Sequence, residues 1–181
     1  MGYGPAPARG LRYTVFWLVA VIVVIVDQAT KAAVRMLVSA GSVSTLIPGI
    51  LNLTRVQNTG AAFGVGKGGS VFFVVFAVVA IIVCCTIVWR SEFPVLLAIP
   101  FGFIAGGGVG NMIDRMIFGY VTDFFATAFM DFPVFNVADI FVTVGIAVSV
   151  ILYFVLVDAP ANASEDSDGS GVSASPKVGD S

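Results

Sequence analysis

Four long stretches of this 181-residue chain are almost entirely apolar, and polar segments separate them. A helix needs about 20 mostly apolar residues to cross a bilayer, and all four stretches are of that order. Runs of β-branched residues do not argue for strands here, because inside lipid a helix satisfies its backbone hydrogen bonds internally. The pattern predicts an all-α membrane protein with four transmembrane helices, near Tyr13–Val38, Val71–Trp89, Phe93–Asn111 and Val137–Val157.

The overall composition agrees with a membrane protein. Hydrophobic residues make up 58% of the chain and charged residues 11%, and the mean hydropathy is +1.01. These values leave no sizeable soluble domain. The first apolar run is interpreted as a permanent span, because polar DQATK follows it instead of an A-x-A-like signal-peptide cleavage site. We expect an N-terminal tail at 1–12, a four-helix membrane domain at 13–157 and an acidic disordered tail at 158–181.

The loops after the first and third spans are longer than a simple turn requires. They cover Ser39–Ser70 and Met112–Asn136, and the first contains the alternating, strand-like sequence LNLTRV. Gly and Asn residues around that sequence are typical of turns. The loops therefore predict a small β-rich cap outside the membrane.

Counting the crossings shows where the polar residues meet. Four spans place both tails on one side of the membrane, here called side A, and both long loops on the other, side B. Every polar cluster of the core then falls at side B, so residues far apart in sequence can come together. Arg9 and Arg12 before the first span favour a cytoplasmic side A, although the basic residues of the side-B loops give the opposite count.

The candidate chemistry is that of carboxylates. The chain has no histidine, which removes Ser-His and Cys-His catalysis and the commonest zinc ligand. Cys84 and Cys85 are adjacent within the second span and are interpreted as small apolar fillers, so no metal or other cofactor is expected. Aspartates in or beside apolar stretches are costly to keep there. They are Asp27, Asp114, Asp123, Asp131 and Asp139.

Asp123 and Asp139 each also have a structural explanation. Asn136 is spaced to cap the fourth span, which places Asp139 near the positive end of that helix. Asp123 fits a loop carboxylate that faces water. Considered singly, these structural roles and a catalytic role both remain open.

Two charge pairs and a glycine ridge have structural explanations of the same kind. Asp27 and Lys31 stand at helical spacing, and Asp114 and Arg115 are adjacent, so each pair is expected to neutralise its charges. Small residues repeated every four positions allow a second helix to approach closely. In the third span these are Gly102, Gly106 and Gly110.

Five motifs together resemble a known family. In order and spacing they are similar to the motifs of lipoprotein signal peptidase, the bacterial signal peptidase II. The motifs are DQATK (27–31), NTGAAFG (58–64), GGGVGNMIDR (106–115), VTDF (121–124) and FNVAD (135–139). The two tails lie outside the resemblance.

This resemblance implies an aspartic endopeptidase that removes signal peptides from diacylglyceryl-modified prolipoproteins, cleaving before the lipidated cysteine. In that family the catalytic pair occupies the aspartates of the VxDF and FNxAD motifs, here Asp123 and Asp139. By motif position, the expected substrate-positioning residues are Asn58, Gly60, Asn111, Arg115 and Asn136. The expected supporting residues are Asp27, Lys31 and Asp114.

The resemblance also implies a location and partners. It predicts a multi-pass protein of the bacterial inner membrane with both termini cytoplasmic and the active site at the extracytoplasmic face. We expect a monomer in contact with membrane lipid, with no nucleic-acid partner. Two close carboxylates do not ionise easily together, so the pair is expected to share a proton.

Two alternatives belong to other functional classes. A small transporter or channel subunit would use Asp27, Asp114 and Asp139 as a proton or cation path. That path needs acids spread through the membrane, whereas counting crossings gathers them at side B. A scaffold that binds a partner through the glycines of the third span leaves the clustered aspartates without a role.

Overall fold

The computed structural model describes residues 9–60 and 69–158. In these ranges, four helices are long and apolar enough to span a membrane. They are α1 (Arg9–Leu37), α2 (Gly69–Arg90), α3 (Ala98–Phe118) and α4 (Val137–Tyr153). The predicted number of long apolar helices is confirmed.

The helix α3 is central and packs against each of the other three. A Cβ atom added at Gly106 would lie 2.7 Å from the carbonyl oxygen of Ala20 in α1. A Cβ added at Gly107 would lie 2.6 Å from the carbonyl oxygen of Ala138 in α4. Glycine therefore lets three helix backbones approach closely, which confirms the predicted packing role of this ridge.

The helix α1 continues through the polar DQATK sequence without a break. Asp27 and Lys31 belong to the same buried stripe as Phe16, Ala20 and Val23, with helical spacing throughout. These two charged residues therefore face protein instead of lipid, and the helix does not need to end before them. The helix begins at Arg9, inside the segment predicted as a tail.

The predicted end of the third span is wrong. A 3-10 turn at Val95–Leu97 precedes α3, and the helix then continues to Phe118. Gly119 ends it in the left-handed conformation with φ of 78°. The polar residues after Asn111 were expected in a loop, but they lie on helix faces that are covered by other elements.

The other two spans end close to their predicted positions. The helix α2 exceeds the predicted Val71–Trp89 by a few residues. After α4, the chain forms one π-helical turn at Phe154–Asp158, which includes the predicted end of the span at Val157.

The two long loops together form one small antiparallel sheet. Its strands are β1 (Val43–Ile47), β2 (Leu51–Asn58) and β3 (Val121–Thr127), in the order β1-β2-β3. The hairpin of β1 and β2 comes from the first loop, and β3 comes from the second. The predicted β-rich region is confirmed, and its register places Val56 opposite Asp123.

A buried apolar cluster joins the ends of α1, α2 and α3 that lie away from the sheet. Phe16, Cys84 and Val88 are part of this cluster, and Cys84 is a free thiol that is 5% exposed. Cys84 therefore acts as the predicted apolar filler. This packing fixes the bundle and leaves the polar side chains to the sheet end.

Candidate active site

Asp123 and Asp139 line one cavity of about 510 Å³, here called the site cavity. Asp123 stands on β3 and is only 2% exposed, so it is not the water-facing loop residue that its sequence context allowed. Asp139 lies in the first turn of α4 and is partly exposed. The strand from the second loop and the start of the fourth helix therefore place these two carboxylates together.

Asn136 is hydrogen-bonded to both aspartates. Its side-chain Nδ2 donates to Asp123 Oδ1 at 2.7 Å, and its backbone N–H donates to Asp139 Oδ2 at 3.1 Å. Its Oδ1 accepts from the Asp139 backbone N–H at 3.1 Å, which completes a capping box at the start of α4. The predicted helix cap is confirmed, and the same residue joins the carboxylates.

Asn58 holds the other oxygen of Asp123. Its Nδ2 donates to Asp123 Oδ2 at 2.8 Å, while its Oδ1 accepts from the backbone N–H of Gly60 at 2.9 Å. Gly60 has φ of 86°, and an added Cβ would lie 2.8 Å from the Phe73 ring. Glycine is therefore required here both by the backbone conformation and by the neighbouring ring.

Asn111 connects Asp139 to a buried lysine. Its Nδ2 donates to Asp139 Oδ1 at 2.8 Å. Its Oδ1 accepts from Lys31 Nζ at 2.8 Å and from Asn136 Nδ2 at 3.1 Å. Because both neighbouring groups are donors, they fix which end of the amide faces the carboxylate.

Asp27 and Lys31 form the predicted ion pair. Lys31 Nζ lies 2.9 Å from Asp27 Oδ2, and neither side chain is exposed. Asp27 Oδ1 also accepts from the backbone N–H of Ala138 at 3.0 Å, which links α1 to the first turn of α4. Each buried charge is thus both paired and hydrogen-bonded, as such charges require.

The predicted neutralisation between Asp114 and Arg115 is present only as a longer-range attraction, because the close ion pair of Asp114 is with Arg35. Asp114 is fully buried, lies 3.4 Å from Arg35 Nη1, and accepts from the Thr122 backbone N–H at 2.8 Å. Adjacent residues on a helix do not face each other, so Arg115 points elsewhere. It lines the site cavity, with its guanidinium 4.8 Å from the centre of the Phe73 ring.

Arg115 brings a positive charge to the two carboxylates, since Asp123 and Asp139 both attract it electrostatically. Its Nε is buried and has no hydrogen-bond partner in the part of the chain that the structure describes.

The protonation of Asp123 is shifted towards neutral pH. Burial raises its pKa to about 6, and the negative charge of Asp139 acts in the same direction. The hydrogen bonds from Asn58 and Asn136 and the charge of Lys31 oppose this rise. A carboxyl group with such a pKa can hold or release a proton under physiological conditions, as acid–base catalysis requires.

The remaining wall of the site cavity is mostly apolar. Phe132, Ile140 and Val144 line it and are each more than two-fifths exposed on the protein surface. Asp131 is exposed and is not among the described residues that line the cavity. Among the described residues, no three metal-ligating side chains cluster closely enough to hold a metal ion.

Comparison with known proteins identifies the family. A family model described as signal peptidase II matches residues 19–155. The lipoprotein signal peptidase of Symbiobacterium thermophilum is 43% identical over 152 residues, which cover 81% of this chain and 97% of that protein. The one from Lactiplantibacillus plantarum is 36% identical over 132 residues, covering 73% and 89%. The chain belongs to the signal peptidase II family.

Membership of the signal peptidase II family makes this protein a membrane peptidase, and it confirms the family that the five motifs indicated. A solved structure of a bacterial membrane enzyme has a similar fold, with a TM-score of 0.69 and 33% identity. The similarity covers 74% of this chain and 88% of that one. Residues 61–64 of the NTGAAFG motif lie outside the described residues.

The structure adds three polar residues that the sequence analysis did not single out. Arg35 bonds Asp114 and Thr122, and Gln28 donates to both Asp27 and Asp114. Arg35 stands one helical turn after Lys31, so the sequence spacing could have placed it on the same helix face. Gln28 and Thr122 lie inside recognised motifs, but nothing in the motifs shows their partners.

Proposed function

We propose that this signal peptidase II family member is an aspartic endopeptidase that removes signal peptides from diacylglyceryl-modified prolipoproteins. It cleaves before the lipidated cysteine. The observation that carries the proposal is that Asp123 and Asp139 line one cavity and both bond to Asn136. The names of the relatives, which are lipoprotein signal peptidases, support the substrate class.

The two carboxylates take different roles at the start of the reaction. Two neighbouring carboxylates do not both ionise easily, so they share one proton. Asp123 is assigned this proton, because it is the more buried of the two carboxylates and burial raises its pKa. Asp139 lies at the N-terminus of α4, where the helix dipole favours an anion, and acts as the general base.

Asp139 removes a proton from water, and the water oxygen bonds to the scissile carbonyl carbon. Asp123 gives its proton to the carbonyl oxygen, which forms a neutral gem-diol. The C–N bond then breaks as Asp139 returns its proton to the leaving amine and a gem-diol hydroxyl reprotonates Asp123. The products are a carboxylic acid and a free amine, and the dyad regains its initial state.

The cavity offers separate surfaces for the polar and apolar parts of this substrate. Asn58 and Arg115 supply hydrogen-bond donors beside the carboxylates, and they orient the peptide. Ile140 and Val144 continue the apolar surface from the cavity to the outside of α4, and this surface receives an acyl chain of the diacylglyceryl group.

The proposal includes an orientation in the bacterial inner membrane. Both termini are cytoplasmic, and the sheet and site lie at the extracytoplasmic face. Arg9 at the start of α1 and Arg90 at the end of α2 support this orientation, because basic residues often flank spans on the cytoplasmic side. The protein acts as a monomer in contact with membrane lipid.

Mass spectrometry of cleavage products tests the activity. Purified protein in detergent is incubated with a diacylglyceryl-modified prolipoprotein and with the same protein lacking the lipid. We expect cleavage of the modified form only, immediately before the lipidated cysteine, with Asp131→Asn as active as wild type. Cleavage at another bond, or none by folded wild-type protein, would contradict the proposed function.

A further inference from the structure

Thr122, the residue before Asp123, is held from outside the sheet. Its backbone N–H donates to Asp114 Oδ2 at 2.8 Å, and its Oγ1 accepts from Arg35 Nη1 at 3.0 Å. Arg35 Nη1 also lies 3.4 Å from Asp114 Oδ1, which closes a three-residue cluster, here called the clamp. Neighbouring residues of a strand point to opposite faces, so the clamp holds β3 from the side away from the Asp123 carboxylate.

Arg35 connects four elements at this point. It stands on α1, contacts Asp114 on α3 and Thr122 on β3, and its carbonyl oxygen accepts from Arg55 of β2 at 2.8 Å. Its guanidinium lies 4.6 Å from the centre of the Phe118 ring. The guanidinium thus bonds Asp114 and Thr122 through Nη1 and stacks on Phe118, whereas the contact with Arg55 is made by the backbone of Arg35.

The helix α3 contacts both the Asp139 carboxylate and the backbone beside Asp123. Asn111 on α3 donates to Asp139 at 2.8 Å, and Asp114, one helical turn later, accepts from Thr122 at 2.8 Å. The rigid spacing of one helical turn therefore sets where Asp139 stands relative to the backbone of Asp123. Loss of the Asn111–Asp139 bond or of the Asp114–Thr122 bond would allow one of the two aspartates to move relative to α3.

We propose that Arg35 is a positioning residue for catalysis, which acts through Asp114 and Thr122 to place Asp123 against Asp139. This inference rests on the proposed aspartic mechanism. Arg35 is not among the described residues that line the site cavity, so its role is assigned to positioning. Its effect is expected on the chemical step, since a shift of about 1 Å in a reacting group costs roughly 100-fold in rate.

Steady-state kinetics on the folded fraction measure this role. We expect Arg35→Gln to lower kcat by about 10- to 100-fold while KM for a lipid-modified prolipoprotein stays within about twofold. Arg35→Lys is expected to recover part of kcat, because it keeps the charge beside Asp114. Arg90→Gln, on the exposed end of α2, is the matched control and should behave as wild type. Wild-type kcat in folded Arg35→Gln would overturn the inference.

A double-mutant cycle with Thr122→Val tests whether Arg35 acts through the clamp. Thr122→Val removes the oxygen that Arg35 bonds and keeps the backbone N–H that Asp114 accepts. We expect the double variant to be no slower than Arg35→Gln alone. Effects on kcat that multiply independently would overturn the path through Thr122.

Hydrogen exchange tests the clamp without using activity. In Arg35→Gln, the Thr122 amide should exchange at least about tenfold faster than in wild type, while amides in the β1–β2 hairpin keep their wild-type rates. Unchanged exchange at Thr122 would overturn the clamp whatever the activity. Failure of wild-type protein to cleave would instead count against the proposed function, so the two failures are distinguishable.

Discussion

The side-chain amide of Asn136 donates a 2.7 Å hydrogen bond to Asp123, and both residues are buried. Asn136 is also the N-cap of α4. Asn136 therefore has two roles, because it starts α4 and also holds the carboxylate of Asp123 on β3.

Replacing Asn136 should reduce activity and stability together. Asn136→Ala removes the donor to Asp123 and the cap of α4, and loss of a cap alone costs about 1 kcal/mol. We expect activity to fall by at least about 100-fold and the Tm in detergent to decrease. Asn52→Ala, a partly buried asparagine on β2, is the control and should change activity little. Near-normal cleavage by folded Asn136→Ala would show that the link is dispensable.

The pH dependence of kcat/KM should respond to Asn58. Activity requires a proton on Asp123, whose pKa is about 6, so the alkaline limb of the bell-shaped profile should lie near that pH. The hydrogen bond from Asn58 lowers this pKa. Asn58→Ala should therefore raise the pKa, keep Asp123 protonated to higher pH and move the alkaline limb upward. Asn52→Ala should leave the limb in place, and a downward shift in Asn58→Ala would contradict the assignment.

Lys31 and Asp27 should depend on each other for stability. Lys31→Met leaves Asp27 as a buried carboxylate without its ion-pair partner, which typically costs about 3–5 kcal/mol. Denaturant unfolding in mixed micelles should show this loss. Adding Asp27→Asn to Lys31→Met should restore part of the stability, because the unpaired charge is removed. Additive losses in the double variant would argue against coupling between the two residues.

Two nearby glycines of α3 offer a matched test of packing. A Cβ at Gly106 would lie 2.7 Å from the backbone oxygen of Ala20, whereas the nearest atom to a Cβ at Gly108 is 4.0 Å away on Ile81. Gly106→Ala should therefore lower the Tm clearly, while Gly108→Ala should keep it or raise it slightly through better helix propensity. Equal effects of the two substitutions would mean that α1 and α3 do not pack so closely here.

Much of the site was predictable, because helix periodicity and the number of membrane crossings depend on the local pattern of hydrophobic and polar residues. The spacing of Asp27 and Lys31 and the cap at Asn136 followed from such rules, and the structure confirms both. The hydrogen bond between Asp114 and Thr122 could not be predicted in this way, because Thr122 reaches Asp114 only after β3 pairs with the strand of the other loop. The burial of Asp123 escaped prediction for the same reason, as strand pairing between distant loops leaves little local signal.

The most direct test of the shared-proton dyad compares wild type with Asp123→Asn and Asp139→Asn in cleavage of a diacylglyceryl-modified prolipoprotein. All three proteins are first shown to be folded by their Tm and elution volume. The proposed mechanism predicts that both variants lose at least about 1,000-fold in kcat, since one lacks the acid and the other lacks the base. Cleavage at the wild-type rate by either folded variant would contradict the mechanism and remove that aspartate from the chemistry.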